Sequence, residues 1–249
     1  MSTSTQNHAA LRTWAHSSDD AMALSRLEER LPPLLSVIAG MVDLIGFFTL
    51  GNIFTAHITG NLVAAAAAFV RGGPLNLAQF LAIPMFMLAQ VAVWLIARAS
   101  DRHGPSLARL LLLIQLLLLT DVLIVGVFAK PSVHPHGLMA GIAVMIAVSA
   151  TACQYALLRL AIPGAISTAV MTGNLSNSVL SLMDRLSKRP MMSVDNGRLK
   201  RSLQLLIGFL VGCLMAASAV SMLGDWAWSF PVALAAVAVA LSSRDGAPF

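Results

Sequence analysis

The chain has 249 residues, of which 57% are hydrophobic and only 11% are charged, and its mean hydropathy is +0.80. A soluble domain carries about 25% charged residues, so this composition excludes a water-soluble fold and predicts that most side chains face lipid. The net charge of +5 comes from Lys and Arg that lie between apolar runs, where they set membrane topology. Nucleic-acid binding is therefore not expected.

The ends of the chain are polar. Residues 1–33 carry mixed charge and lack the apolar run of a signal peptide, so they are expected to be a disordered tail or a short surface helix. Pro32-Pro33 is expected to end that tail. Residues 34–242 are predicted to form one transmembrane domain, followed by a short tail over 243–249.

Six apolar stretches are long enough, or nearly so, to cross a bilayer as helices, which takes about 17–25 residues each. The predicted class is an all-α, polytopic membrane helix bundle. The predicted spans are Leu34–Leu50, Leu75–Ala97, Leu107–Ala129, Gly137–Leu160, Leu203–Leu223 and Trp228–Leu241.

Two shorter helical stretches, Leu62–Val70 and Leu175–Leu186, either cross or re-enter on the same side. If both re-enter and the N-terminus is cytoplasmic, 14 of the 16 Lys and Arg lie inside, with only Arg71 and Lys130 outside. If both cross, the split becomes 12 to 4. The positive-inside rule favours six spans with both termini cytoplasmic. The basic residues from Arg185 to Arg201 are expected to contact anionic lipid headgroups.

An internal repeat relates the two halves of the chain. Residues 51–62 (GNIFTAHITGNL) and 164–175 (GAISTAVMTGNL) are identical at eight of twelve positions, with a constant offset of 113. Repeat one covers about 34–129 and repeat two about 137–242. Three spans per half is an odd number, so the second repeat is predicted to be inverted, an arrangement that recurs in transporters.

Each repeat contains a Thr-Gly-Asn sequence that is typical of a helix start: Thr59, Gly60 and Asn61 in the first, Thr172, Gly173 and Asn174 in the second. Thr and Asn side chains can cap free backbone N–H groups, and Gly permits an unusual backbone angle or the close approach of another helix. Two helix starts inside the membrane would form a polar site. A simple packing turn explains the same pattern equally well.

Four polar residues inside the apolar segments are candidates for a solute or ion path. Asp43 and Asp121 are carboxylates within predicted spans, where a charge costs about 2.5–3.5 kcal/mol and marks a functional site by default. His57 lies in the first repeat turn and could pair with Asp43, although a hydrogen-bonded turn histidine is the simpler interpretation. Gln154 adds a hydrogen-bonding group. The sequence predicts no metal site, no cofactor and no catalytic motif.

A spaced pattern of small, acidic and aromatic residues identifies a resemblance: Gly40, Asp43, Phe47, Leu50, Gly51 and Phe54, then Thr59-Gly60-Asn61. Together with Gln154, Arg159 and the second Thr-Gly-Asn, over about residues 34–242, it resembles the YoaK family of bacterial multi-pass membrane proteins (domain of unknown function 1275). The resemblance implies a location in the bacterial cytoplasmic membrane and supplies no established substrate.

Two classes of function follow from these patterns. The first is a transporter or channel for a small polar or ionic solute, with Asp43 contributing charge or proton coupling. The second is a non-transporting scaffold or sensor in which the turns only pack helices; an enzyme is not expected. Two inward helix dipoles favour an anion and two carboxylates favour a cation, so the charge of the solute stays open, as do its identity and a homo-oligomeric state.

Overall fold

A computed structural model describes residues 3–71, 76–168, 171–186 and 196–245. These residues form α-helices and one 3₁₀ helix, Gly224–Trp228, and contain no strand. The α-helices are α1 (Thr3–Thr49), α2 (Ile58–Val70), α3 (Leu77–Ala99), α4 (Gly104–Ala129), α5 (Leu138–Leu160), α6 (Met171–Leu186), α7 (Asn196–Leu223) and α8 (Ser229–Asp245). The predicted all-α class is confirmed.

The long helices have the length and hydropathy of membrane spans. Among the described residues, these are Ala21–Thr49, α3, α4, α5 and a continuous segment, Leu199–Ser243, that contains both α7 and α8. If α7 and α8 are counted separately on either side of the 3₁₀ helix, the described residues contain six such helices instead of five, and the prediction of about six spans agrees with this range. The predicted start of the second span, Leu75, lies outside the described residues.

The two ends of the bundle are defined by loops that meet there. At the Gly51 end, Trp228 Nε1 donates to Thr49 Oγ1, and the Asn76 side chain contacts the carbonyl of Gly51. Gly51 itself terminates α1 with a φ of +83°, a conformation that favours glycine. At the opposite, Gly164 end, the start of α4 meets the end of α8 through a hydrogen bond from Arg109 to the carbonyl of Ser242. Because α1 ends and α5 begins at the Gly51 end, these two helices run in opposite directions.

The first helix does not stop at its prolines. The expectation that Pro32-Pro33 ends the polar tail is wrong, because α1 continues through both of them. Membrane helices tolerate proline where neighbouring helices compensate for lost backbone hydrogen bonds. Here α1 packs along α7, and Ser36 Oγ donates to the carbonyl of Leu205 at 2.6 Å. Leu27, before the prolines, is fully buried in the same core.

α2 begins four residues earlier than predicted, so the first Thr-Gly-Asn lies within its first helical turn, and the second lies in the part of α6 that is described from Met171 onwards. α2 starts beside Asp43, and the chain after it reaches Asn76 at the Gly51 end. Asn76 is therefore at the same end of the bundle as Gly51, which precedes α2. α6 packs against α7. Residues 187–195, inside the predicted basic cluster, lie outside the described residues.

Candidate functional site

The carboxylate of Asp43 is buried and accepts hydrogen bonds from the backbone that leads into α2. Its Oδ1 atom accepts from the N–H groups of Thr55, Ala56 and His57, at 2.8, 2.7 and 3.3 Å. N–H groups at a helix start lack a partner within the helix, and a negative charge there also complements the helix dipole. Asp43 therefore holds the start of α2 against the side of α1, about 9 Å along the helix from Thr49.

His57 binds the second oxygen of the same carboxylate. Its Nδ1 atom lies 2.7 Å from Asp43 Oδ2, so the pairing raised by the sequence is present. The His57 side chain is 43% exposed whereas that of Asp43 is only 7% exposed. The imidazole also meets the rings of Phe54 and Phe209 edge to face, with centroids 6.5 and 5.1 Å away. His57 is thus the accessible partner of a buried acid.

Hydroxyl groups of α5 bind the carbonyl groups of the same backbone segment. Thr151 Oγ1 donates to the carbonyl of Thr55 at 2.6 Å, and the Tyr155 hydroxyl donates to that of Ala56 at 3.1 Å. The backbone of residues 55 and 56 is therefore fully hydrogen-bonded: its N–H groups donate to Asp43, and its carbonyl groups accept from hydroxyl groups of α5. Sequence reasoning missed Thr151 and Tyr155, which are 96 and 99 residues from their partners.

The second repeat turn reaches the same part of α5 through Gln154. Gln154 Nε2 donates to Thr168 Oγ1 at 3.4 Å and to the carbonyl of Leu35 at 2.9 Å, and Gln115 Nε2 donates to Gln154 Oε1 at 2.8 Å. Gln115 Oε1 is buried without a hydrogen-bond partner among the described residues. Thr151 and Gln154 lie about one helical turn apart. Both repeat turns therefore contact one short stretch of α5.

The two repeat asparagines make the same contact in their own turns. Asn61 Nδ2 donates to the carbonyl of Phe54 at 2.7 Å, and Asn174 Nδ2 donates to that of Ser167 at 3.0 Å. Asn61 Oδ1 also accepts from the N–H of Phe54 at 2.9 Å. The predicted capping of the helix start by Asn61 is therefore wrong in detail: the side chain closes the preceding turn, and Asp43 binds the free N–H groups.

The threonine and glycine of each Thr-Gly-Asn sequence are less buried than the asparagine. Thr59 and Thr172 are exposed, and Gly60 and Gly173 are half-buried. The expectation of an unusual backbone angle at Gly60 is wrong, since its φ is not positive. A Cβ atom there would lie 3.0 Å from the ring of Phe54, so the close neighbour belongs to the same turn rather than to another helix.

Asp121 is not brought to this site. It lies on the exposed surface of α4, whereas Asp43 and Gln154 are buried. A buried acid that sequence reasoning missed is Asp225 in the 3₁₀ helix, whose Oδ2 accepts from Ser132 Oγ at 2.6 Å. That bond ties the α4–α5 connection to the α7–α8 connection at the Gly51 end. Within the described part of the chain, no three His, Cys, Asp or Glu residues are grouped to hold a metal ion.

Removing the Asn61 side chain tests its role in the turn. We expect Asn61→Ala to lower the free energy of unfolding by about 1–3 kcal/mol, because the N–H and carbonyl groups of Phe54 both lose their partner. Thr59→Ala, an exposed position in the same helical turn, should change it by less than about 0.5 kcal/mol. Unfolding in mixed micelles measures both variants, and equal losses would show that Asn61 does not hold the turn.

Comparison with known proteins places these features in a family. Residues 31–241 match the family model described as "Protein of unknown function (DUF1275)". The chain is 27% identical over 167 residues to the UPF0700 transmembrane protein YoaK of Bacillus subtilis (strain 168), across 66% of this chain and 72% of that protein. No solved structure matches the chain. The similarity and the apolar helices together establish a multi-pass membrane protein, and the resemblance drawn from the motifs is confirmed.

Proposed function

This chain belongs to the DUF1275 family, and we propose that it is a transporter or channel for a small polar or ionic solute in the bacterial cytoplasmic membrane. The observation that carries the proposal is the buried carboxylate of Asp43, bound to the backbone that leads into α2 and paired with the exposed His57. Acids within membrane helices are costly and mark ion or proton paths by default. No chemical reaction is part of the proposal.

The position of the two turns supports a path between them. Thr55 binds α5 through Thr151, and Thr168 binds it through Gln154, about one helical turn away. Transporter sites form where interrupted helices meet near the middle of the membrane. The unpaired Oε1 atom of Gln115 adds a buried acceptor beside the second turn, which a permeating solute could satisfy.

The proposal includes two inverted repeats. The hydrogen bonds from Asn61 to the carbonyl of Phe54 and from Asn174 to that of Ser167 are related by the same offset of 113 as the sequences. The first helix of each half packs against the last two helices of the other half: α1 packs against α7 and α8, and α5 packs against α3 and α4. α1 and α5, the first helices of the two halves, run in opposite directions. These features support an origin by duplication and inversion.

We place the Gly164 end of the bundle, and both termini, in the cytoplasm. Arg98, Arg102, Arg109 and Arg159 lie near that end, and Lys130 lies at the Gly51 end. The positive-inside rule supports this orientation. The basic loops at the Gly164 end would then contact anionic lipid headgroups of the inner leaflet.

The hydrogen bonds of Asp43 favour a cation or a proton over an anion. An anion would need free N–H groups at the helix start, but those of Thr55, Ala56 and His57 are already bound to the carboxylate. A cation or a proton needs only to displace His57 from the Oδ2 atom of Asp43. His57 is the exposed member of this pair. The imidazole of histidine can gain and lose a proton and so suits proton coupling.

Reconstituted liposomes test this proposal with protons, sodium and potassium as probes and a pH-sensitive dye inside. Wild type should relax a gradient of at least one of them faster than empty liposomes, and Asp43→Asn should slow that flux by about tenfold or more. Asp101→Asn, the same chemical change on an exposed loop with positive φ, should not alter it. Equal flux in wild type and Asp43→Asn, or none above empty liposomes, would contradict the proposal.

A second candidate is a scaffold or sensor without transport. Its support is that Asn61 and Asn174 bind within their own turns instead of facing a shared space. On this alternative, Asp43 only fixes α2 to α1. It predicts that Asp43→Asn leaves every measured flux unchanged and alters only the stability of the protein.

A further inference from the structure

One oxygen atom of Asp43 can exchange its partner for an outside ligand. Oδ1 holds the backbone N–H groups before α2, whereas Oδ2 binds the Nδ1 atom of His57 at 2.7 Å. The His57 side chain is 43% exposed, so a ligand can reach it from outside the bundle. Within the described part of the chain, His57 is the one basic residue that pairs with Asp43. A ligand that displaces the imidazole therefore meets a buried carboxylate without a positive partner.

Two aromatic rings flank the imidazole. Phe209 of α7 meets it with the ring centroids 5.1 Å apart, and Phe54 of the turn meets it at 6.5 Å, both edge to face. Phe47 of α1 continues the group, with its centroid 5.0 Å from that of Phe54. The faces of aromatic rings attract cations within about 6 Å of the centroid and recognise quaternary ammonium ligands. The rings and the carboxylate of Asp43 together therefore favour an organic cation.

The oxygen atoms around Asp43 suit a metal ion less well. Sodium sites in transporters are built from unwound backbone carbonyl groups, and divalent cations take about six oxygen ligands. Here the carbonyl of Thr55 already accepts from Thr151, and that of Ala56 accepts from Tyr155. A metal ion in the place of the imidazole would thus gain one exchangeable carboxylate oxygen. An organic ammonium ion needs only that negative charge and the aromatic faces.

From the exchangeable oxygen and the aromatic rings, we propose that the solute bound at Asp43 is an organic ammonium ion, held between Asp43 Oδ2 and the ring of Phe209 in the place of the His57 imidazole. The inference rests on the proposed function, since it names the class of cation that this site takes. The protonated imidazole is itself a planar organic cation, so His57 acts as an internal substitute while the site is empty. One positive charge replaces another, and the buried carboxylate is never left unpaired.

The test is a thermal-unfolding titration of the purified full chain in a neutral detergent with tetramethylammonium chloride, against sodium chloride at equal concentrations. His57→Ala removes the internal competitor and should be stabilised by tetramethylammonium in a saturable way. Wild type should show the same response with an apparent affinity about tenfold or more lower, because His57 competes for the carboxylate. The double variant of His57→Ala with Asp43→Asn should lose the response. His134→Ala, which removes an exposed loop histidine, should respond like wild type.

The aromatic contact gives a second measurement on the same background. Phe209→Leu, added to His57→Ala, keeps an apolar side chain on α7 but removes the ring. The affinity for tetramethylammonium should fall about fivefold, as expected for the loss of one contact between a cation and a ring. Phe48→Leu, the same change at an exposed position of α1, should leave the affinity of His57→Ala unchanged.

Two results would overturn the inference: no stabilisation of His57→Ala by tetramethylammonium beyond that by sodium chloride, or an equal response of the double variant. An equal, saturable response to both salts would assign the site to metal cations and also contradict it. The liposome fluxes are judged separately. A flux that depends on Asp43, without binding of tetramethylammonium, contradicts this inference and keeps the proposed function. Saturable binding without any flux supports this inference and contradicts transport.

Discussion

Replacing Asp43 by alanine is expected to lower the free energy of unfolding by about 3–5 kcal/mol. The loss arises from the N–H groups of Thr55, Ala56 and His57, which share one acceptor; the bonds from Thr55 and Ala56 are buried, and that from His57 is partly buried. Removing a buried charge also recovers part of its desolvation cost. The two buried donors, Thr55 and Ala56, left without an acceptor outweigh that gain, because each costs about 1–3 kcal/mol.

Asp43→Asn separates this structural role from the charge. The amide oxygen of asparagine can still accept from the backbone at residues 55–57, and its NH₂ group can donate to neutral His57. We expect this variant to lose only about 1 kcal/mol. Reversible unfolding in mixed micelles, followed by the fluorescence of the buried Trp228, measures both variants. Equal losses in Asp43→Ala and Asp43→Asn would show that the charge, and not the acceptor atom, stabilises the turn.

Most of the bundle could be predicted because its signals are local. Long apolar runs define spans by length alone, and the first repeat sequence places α2 within four residues of its observed start. The earlier start of α2 has a physical reason. Thr59, Gly60 and Asn61 are turn formers by residue type, but Asp43 stabilises a helix start before them.

The remaining parts of the site depend on contacts that no local pattern records. Thr151 and Tyr155 reach the backbone of residues 55 and 56 only because α5 packs beside the first turn. The edge-to-face contact of Phe209 with His57 likewise requires α7 to lie against α1. The course of α1 through Pro32-Pro33 follows from the same packing, which outweighs the helix-breaking tendency of proline.

The contact between α1 and α7 is where the second large effect is expected. Gly40 on α1 and Gly212 on α7 are both buried where the two backbones touch. A Cβ atom on Gly212 would clash with the carbonyl oxygen of Val37, and one on Gly40 would clash with that of Phe209. Gly208 and Gly212 form the small-xxx-small spacing that lets membrane helices approach closely.

Gly212→Ala should therefore lower the free energy of unfolding by about 3 kcal/mol, since the obstructing atoms are backbone and cannot rotate away. Gly141→Ala is the matched control, because it adds the same methyl group to a helix where nothing lies within 4 Å. That variant should keep or raise stability, as Gly→Ala in a helix gains about 0.5–1 kcal/mol. Parallel unfolding titrations compare the two, and a similar result for both would contradict the close approach.

The same substitution links the helix contact to the candidate site. Phe209 lies on the α1–α7 contact and places its ring against His57, so separating the helices should withdraw that ring from the imidazole. We expect Gly212→Ala to raise the rate at which His57 reacts with diethyl pyrocarbonate, whereas Gly141→Ala should not. An unchanged rate in Gly212→Ala would show that His57 is positioned by Asp43 alone, independently of α7.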